Sequence, residues 1–126
     1  MSAETAILLA GIHSAGFAVF HLLFWRLFGW RQDLARLRPA NRAIMQILNL
    51  RLTYVFVLVA VLCFGFAQAL ADTPLGHALL VGMSLFWLGR LVEQFVFLRY
   101  DHPALHALSA LFAIGALLFA WPLFAV

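Results

Sequence analysis

The sequence predicts an all-α polytopic membrane protein, a four-helix transmembrane bundle with up-down-up-down connectivity, and three observations lead there. Of its 126 residues, 66% are hydrophobic and only 10% charged, against about 25% charged in an ordinary soluble domain. Mean hydropathy is +1.02. The apolar residues gather into runs of bilayer-crossing length, and the basic residues concentrate around the link between the first two runs. A chain this short has room for a single domain.

The first run, Ala6 to Trp25, carries no charge. At about 20 residues, such a helix crosses roughly 30 Å of hydrocarbon, and with its interfacial end the span covers 6–28. No arginine or lysine precedes it, so it reads as a retained span and not as a secretory signal with a positive leading region. Gly29 to Arg42 is a polar, basic connection, with Pro39 suited to the first turn of the next helix. That helix is expected to begin near Ile44 and run over 44–70, with its most apolar stretch from Leu52 to Ala71.

Asp72-Thr73-Pro74-Leu75-Gly76 is a short turn with helix-start chemistry, and the third span follows over 75–99. It holds Arg90 and Glu93; the uncharged part, Leu75 to Gly89, is too short to cross alone, so one helix must continue through both charges. Asp101-His102-Pro103 ends it, because proline cannot continue a helix and restricts the residue before it. The fourth span is 104–125.

Orientation comes from the arginines. All eight basic residues are arginine, and six of them lie from Arg26 to Arg51. Clustered on one loop and its flanks, they are a topology signal and do not suggest a nucleic-acid partner. The positive-inside rule places that loop and Arg99 in the cytoplasm, with both termini outside, in the cytoplasmic (inner) membrane of a bacterial-type cell. Trp25 and Trp30 suit the inner interface and Trp121 the outer. Cys63 is the sole cysteine, which excludes an internal disulfide and reads as a small apolar core residue.

Polar groups inside spans are costly, about 2.5–3.5 kcal/mol each for charged residues on insertion scales, and they usually face a bundle interior or a wet cavity. Here His21, then Gln46 and Asn49, then Arg90 and Glu93, then His106 lie on the four successive helices at similar depth from the cytoplasmic side. Gln46, Asn49 and Thr53 form one stripe, and Arg90 and Glu93 are helical neighbours. Each also has a purely structural reading: Arg51 as a snorkelling anchor, Arg90 with Glu93 as an ion pair, the Gln46–Asn49–Thr53 stripe as interhelical hydrogen bonding, and His102 as a cap.

The function this pattern predicts is a polar site in the cytoplasmic half of the membrane, holding a transition metal ion or haem. His21, Glu93 and His106 are the candidate ligands, with His102 and His13 as further ones, because imidazole and carboxylate suit zinc, iron or copper. Gln46, Asn49, Arg90 and Arg51 would orient them or contact a ligand. For haem, His21 and His106 are the best pair. One alternative is a metal-free binding or transferase-type pocket for an anionic or lipid-like small molecule, with arginines for the anion and aromatic helices for its tail. A small transporter built on Glu93, or a structural subunit of a membrane complex, is another. Besides the lipid bilayer, a homo-oligomeric partner is expected, since four helices leave broad apolar faces. The sequence contains neither HExxH, nor a Glu-x-x-His pair, nor a phosphate loop.

Overall fold

The computed structural model describes residues 1–125, and every regular element among them is helical. Four helices are long and apolar enough to cross a membrane: Ala3–Leu22, Pro39–Gly65, Pro74–Phe97 and Pro103–Leu123. Many large apolar side chains are exposed along them, among them Ile12, Leu48, Leu85 and Leu117. Faces of this kind would aggregate in water and are the natural contact for acyl chains. The chain is a small all-α integral membrane protein. It comprises two compact units, Gly11–Val61 in one and Met1–Ala10 with the chain from Leu62 onward in the other.

In Gly11–Val61, the first helix α1 (Ala3–Leu22) gives way to a short α2 (Phe24–Leu27). At the break the Leu23 N–H is shared between the carbonyls of Val19 (3.2 Å) and Phe20 (3.1 Å). Gly29 then takes φ 61°, the one positive φ among the described residues and a conformation that favours glycine. It reverses the chain into α3 (Trp30–Asp33) and a 3₁₀ turn, Leu34–Arg36. Arg42 reaches back to this turn, donating from Nε to the Leu34 carbonyl (3.0 Å) and from Nη2 to that of Leu37 (3.3 Å). The Leu37 carbonyl is one that the end of the turn leaves open, while that of Leu34 also accepts the Leu37 N–H at 3.1 Å.

The long helix α4 spans Pro39–Gly65. It starts about a turn before the expected Ile44, because Pro39 lacks only an N–H that a first turn leaves unbonded anyway. Aromatic packing joins α1 to α4 and α2 to α3 here: Phe17 meets Phe56 at 5.9 Å between centroids, and Phe24 meets Trp30 at 5.4 Å.

In the other unit, Phe66 interrupts the helix and α5 (Ala67–Asp72) follows. Thr73 caps α6 (Pro74–Phe97), its hydroxyl oxygen accepting from the Gly76 N–H at 3.0 Å, with Pro74 in the first turn. Gly76 is needed there because a Cβ would overlap the Leu70 backbone of α5. The last long helix is α7 (Pro103–Ala120), ending in a 3₁₀ turn over Trp121–Leu123.

The α6–α7 seam runs through Leu80, Ser84, Trp87 and Gln94, whose spacing is that of a heptad pattern. Trp87 is 1% exposed and stacks on Phe112, ring centroids 5.7 Å apart. Ser84 donates to the Ala116 carbonyl at 2.8 Å. Cys63 is buried, as its apolar surroundings in sequence suggest. The N-terminal segment belongs to this unit as well, and Trp121 Nε1 donates to the Met1 carbonyl at 2.8 Å.

Candidate functional site

The residues singled out in the sequence divide between the two units. His13, His21, Gln46, Asn49 and Arg51 lie in Gly11–Val61, while Arg90, Glu93, His102 and His106 lie in the other.

In the first unit most of these side chains bond to the backbone. His21 Nδ1 lies 2.7 Å from the Phe17 carbonyl. A carbonyl can only accept, so Nδ1 carries the proton. The ring stacks on Phe24 at 4.5 Å. Asn49, nearly buried, donates from Nδ2 to the carbonyl of His21 at 3.0 Å, a bond between α4 and α1. That carbonyl sits beside the Leu23 break, where helical bonding is perturbed, and the asparagine supplies a donor from another helix. Gln46 donates to the Arg42 carbonyl (3.2 Å) and Thr53 to that of Asn49 (2.8 Å), both within their own helix. Of the stripe Gln46–Asn49–Thr53, Asn49 therefore makes a bond between helices. Arg51 is exposed, its guanidinium 5.6 Å from the Tyr54 ring. The His13 ring lies 4.9 Å from Phe17.

In the second unit the two charges of α6 part company. The Arg90 guanidinium lies over the Phe112 ring at 4.5 Å, a cation–π contact to α7, and among the described residues it forms no ion pair with Glu93. Glu93 is exposed. His102 is the cap of α7, its Nδ1 accepting from the Ala104 N–H at 3.0 Å. His106 donates from Nε2 to Asp101 Oδ1 at 2.8 Å, a pair open to solvent on both sides. Among the described residues, no group of three or more His, Cys, Asp or Glu side chains is gathered so as to hold a metal ion.

A different feature draws attention at the α6–α7 turn. A cleft of about 280 Å³ opens there, bounded by Gln94, Phe95, Leu98, Arg99 and Tyr100 on the α6 side and by Leu105, His106 and Ser109 on α7. Its volume equals roughly nine waters and lies near the lower end for small-molecule pockets. Gln94 is 2% exposed and forms part of this wall. Its Nε2 donates to the Leu105 carbonyl at 3.3 Å, whereas its Oε1 is buried without a hydrogen-bond partner. The amide assignment follows from that neighbour, because the reverse would set one carbonyl oxygen against another. Ser109 donates to the same Leu105 carbonyl at 2.9 Å, which leaves its oxygen able to accept.

Arg99 is the cation of the cleft and stands two residues past the end of α6. Asp101, bonded to His106, brings an opposing negative charge to the rim. From sequence, Arg99 is only a topology marker, and Gln94 is an amide within the third span with nothing in the pattern of charges to set it apart. The heptad relation of Leu80, Trp87 and Gln94 was the available signal that Gln94 faces α7. Comparison with protein-family models, with curated proteins and with solved structures finds no match to this chain.

Proposed function

We propose that this membrane protein binds an anionic amphiphile, with the charged group in the cleft at the α6–α7 turn and the tail along the apolar face of the spans. The observation that carries the reading is the make-up of that cleft, whose lining combines a cation, Arg99, with acceptors on Gln94 and Ser109 and with apolar side chains. Arg99 lies just beyond a membrane-spanning helix, the level at which lipid phosphates sit, and a guanidinium holds a phosphate by two parallel hydrogen bonds. Phe95 is 65% exposed, and Leu98 is exposed beside it. Together they extend the cleft wall onto a surface suited to an acyl chain.

The metal or haem reading would rest on His21, Glu93 and His106. It has less behind it, because His106 is engaged with Asp101 in solvent, His21 is turned to Phe17, and Glu93 is exposed. In the amphiphile reading the chemistry is binding, and no bond in the ligand is made or broken.

The test is calorimetric titration of the purified protein with dodecyl phosphate and, in parallel, with zwitterionic dodecylphosphocholine. Dodecyl phosphate should bind with one-to-one stoichiometry, and Arg99→Gln should weaken it by about tenfold or more, the worth of a charge-assisted hydrogen bond. Equal binding of the two amphiphiles, unchanged in the variant, would refute the proposal.

A further inference from the structure

We infer that the headgroup taken by this cleft is a hydroxyl-bearing phosphate diester of a membrane lipid, of the phosphatidylglycerol type. The inference rests on the amphiphile reading and adds what the inner wall selects. Arg99 alone would accept any phosphate. Beyond it the cleft offers acceptors: Gln94 Oε1, without a partner, and the Ser109 oxygen, whose own hydrogen is committed to Leu105.

A buried acceptor left unmet is costly, and a ligand that carries a donor removes the cost. Oε1 is shielded from bulk solvent, and the terminal torsion of glutamine has a broad well. Gln94 lines the cleft, and a small adjustment about that torsion lets Oε1 meet a donor seated against this side chain.

An ammonium headgroup would also donate, but among the described residues the one carboxylate at the rim, Asp101, is already engaged by His106, and none lines the cleft itself. Taking an unpaired ammonium into such a wall costs far more than taking in a neutral hydroxyl. A hydroxyl next to a phosphate diester satisfies both ends of the site. The source is a lipid and not a soluble polyol phosphate, because Phe95 and Leu98 carry the cleft wall onto the exposed apolar face of α6.

The experiment uses the full chain in nanodiscs of dioleoyl phosphatidylcholine doped with a second lipid, with bound lipid counted by native mass spectrometry after release. Dioleoyl phosphatidylglycerol and dioleoyl phosphatidylmethanol carry the same single charge, and only the first has headgroup hydroxyls. Phosphatidylglycerol should be retained about three- to tenfold better, the range one or two neutral hydrogen bonds supply. Gln94→Met, nearly the same in shape, should remove that preference while leaving phosphatidylmethanol binding in place.

Equal retention of the two anionic lipids above phosphatidylcholine would overturn the hydroxyl assignment and leave the amphiphile reading standing. Retention of neither above phosphatidylcholine would overturn both. The wild-type comparison requires no variant, so a substitution that fails to fold does not blunt it. Free glycerol phosphate should not displace the lipid at millimolar concentration, and full displacement would overturn the lipid source.

Discussion

Gly11–Val61 and the α6–α7 hairpin handle intramembrane polar groups in different ways. In the first, His21, Arg42, Gln46, Asn49 and Thr53 all bond to main-chain carbonyls. Most of these carbonyls lie four residues away or in an adjoining turn, where short polar side chains find partners regardless of any ligand. Asn49 Oδ1 does lack a partner, but the other half of that amide is engaged in bridging α4 to α1 beside the Leu23 break. In the hairpin, Ser84 and Gln94 bond across to α7, and Gln94 also lines a cleft that holds an unmet acceptor and an arginine. A polar residue in a span is thus a weak pointer to a site. What distinguishes one is a polar residue on a helix seam that also lines a cleft.

The comparison breaks first if the seam is not what holds the hairpin. Trp87→Ala removes the ring stacked on Phe112 and should cost about 3–5 kcal/mol, read as a lower midpoint in detergent-denaturant unfolding. A cost under about 1 kcal/mol would mean that α6 and α7 are held elsewhere.

A smaller effect is expected at Asn49. Asn49→Leu leaves the His21 carbonyl without its interhelical donor and should destabilise by roughly 0.6–1.7 kcal/mol, the range for such bonds in membranes. Gln46→Leu, which loses only a bond to its own helix, should stay within about 0.5 kcal/mol. Matching losses at the two positions would erase the distinction between bridging and self-bonded side chains.

The smallest expected effect concerns metal. Elemental analysis and an absorption spectrum of the purified protein should show neither stoichiometric transition metal nor a Soret band. His21→Ala and His106→Ala should then leave both measurements unchanged. A metal present in the wild type and lost in both variants would restore the metal reading and displace the amphiphile.

Much of the fold is legible along the chain because its signals are local. Thr73-Pro74 and His102-Pro103 each state a helix start in two residues, and the caps form as the residue types require. The beginning of the second helix is less legible. Polar residues from Pro39 to Arg42 resemble a loop by composition, yet they extend the helix by about a turn, and Arg42 is turned back onto the 3₁₀ segment. The candidate site is legible only in part. Depth along a helix can be counted from sequence, and it groups Glu93 with Gln94. The direction each faces differs by about 100°, and that difference leaves Glu93 exposed and Gln94 buried.

By itself the sequence determined the class of the protein, its four apolar spans and the turn chemistry between the last three, because transfer to a bilayer and helix capping act on each residue and its near neighbours. Only the tertiary structure decided which polar groups are satisfied. Arg90 lies on Phe112 and not against Glu93, Asn49 meets His21, and Gln94 keeps an open oxygen. The reason is geometric. A hydrogen bond or a ring contact exists only when a group from another helix arrives within a few ångströms at the right angle, and no spacing along one strand of sequence contains that distance.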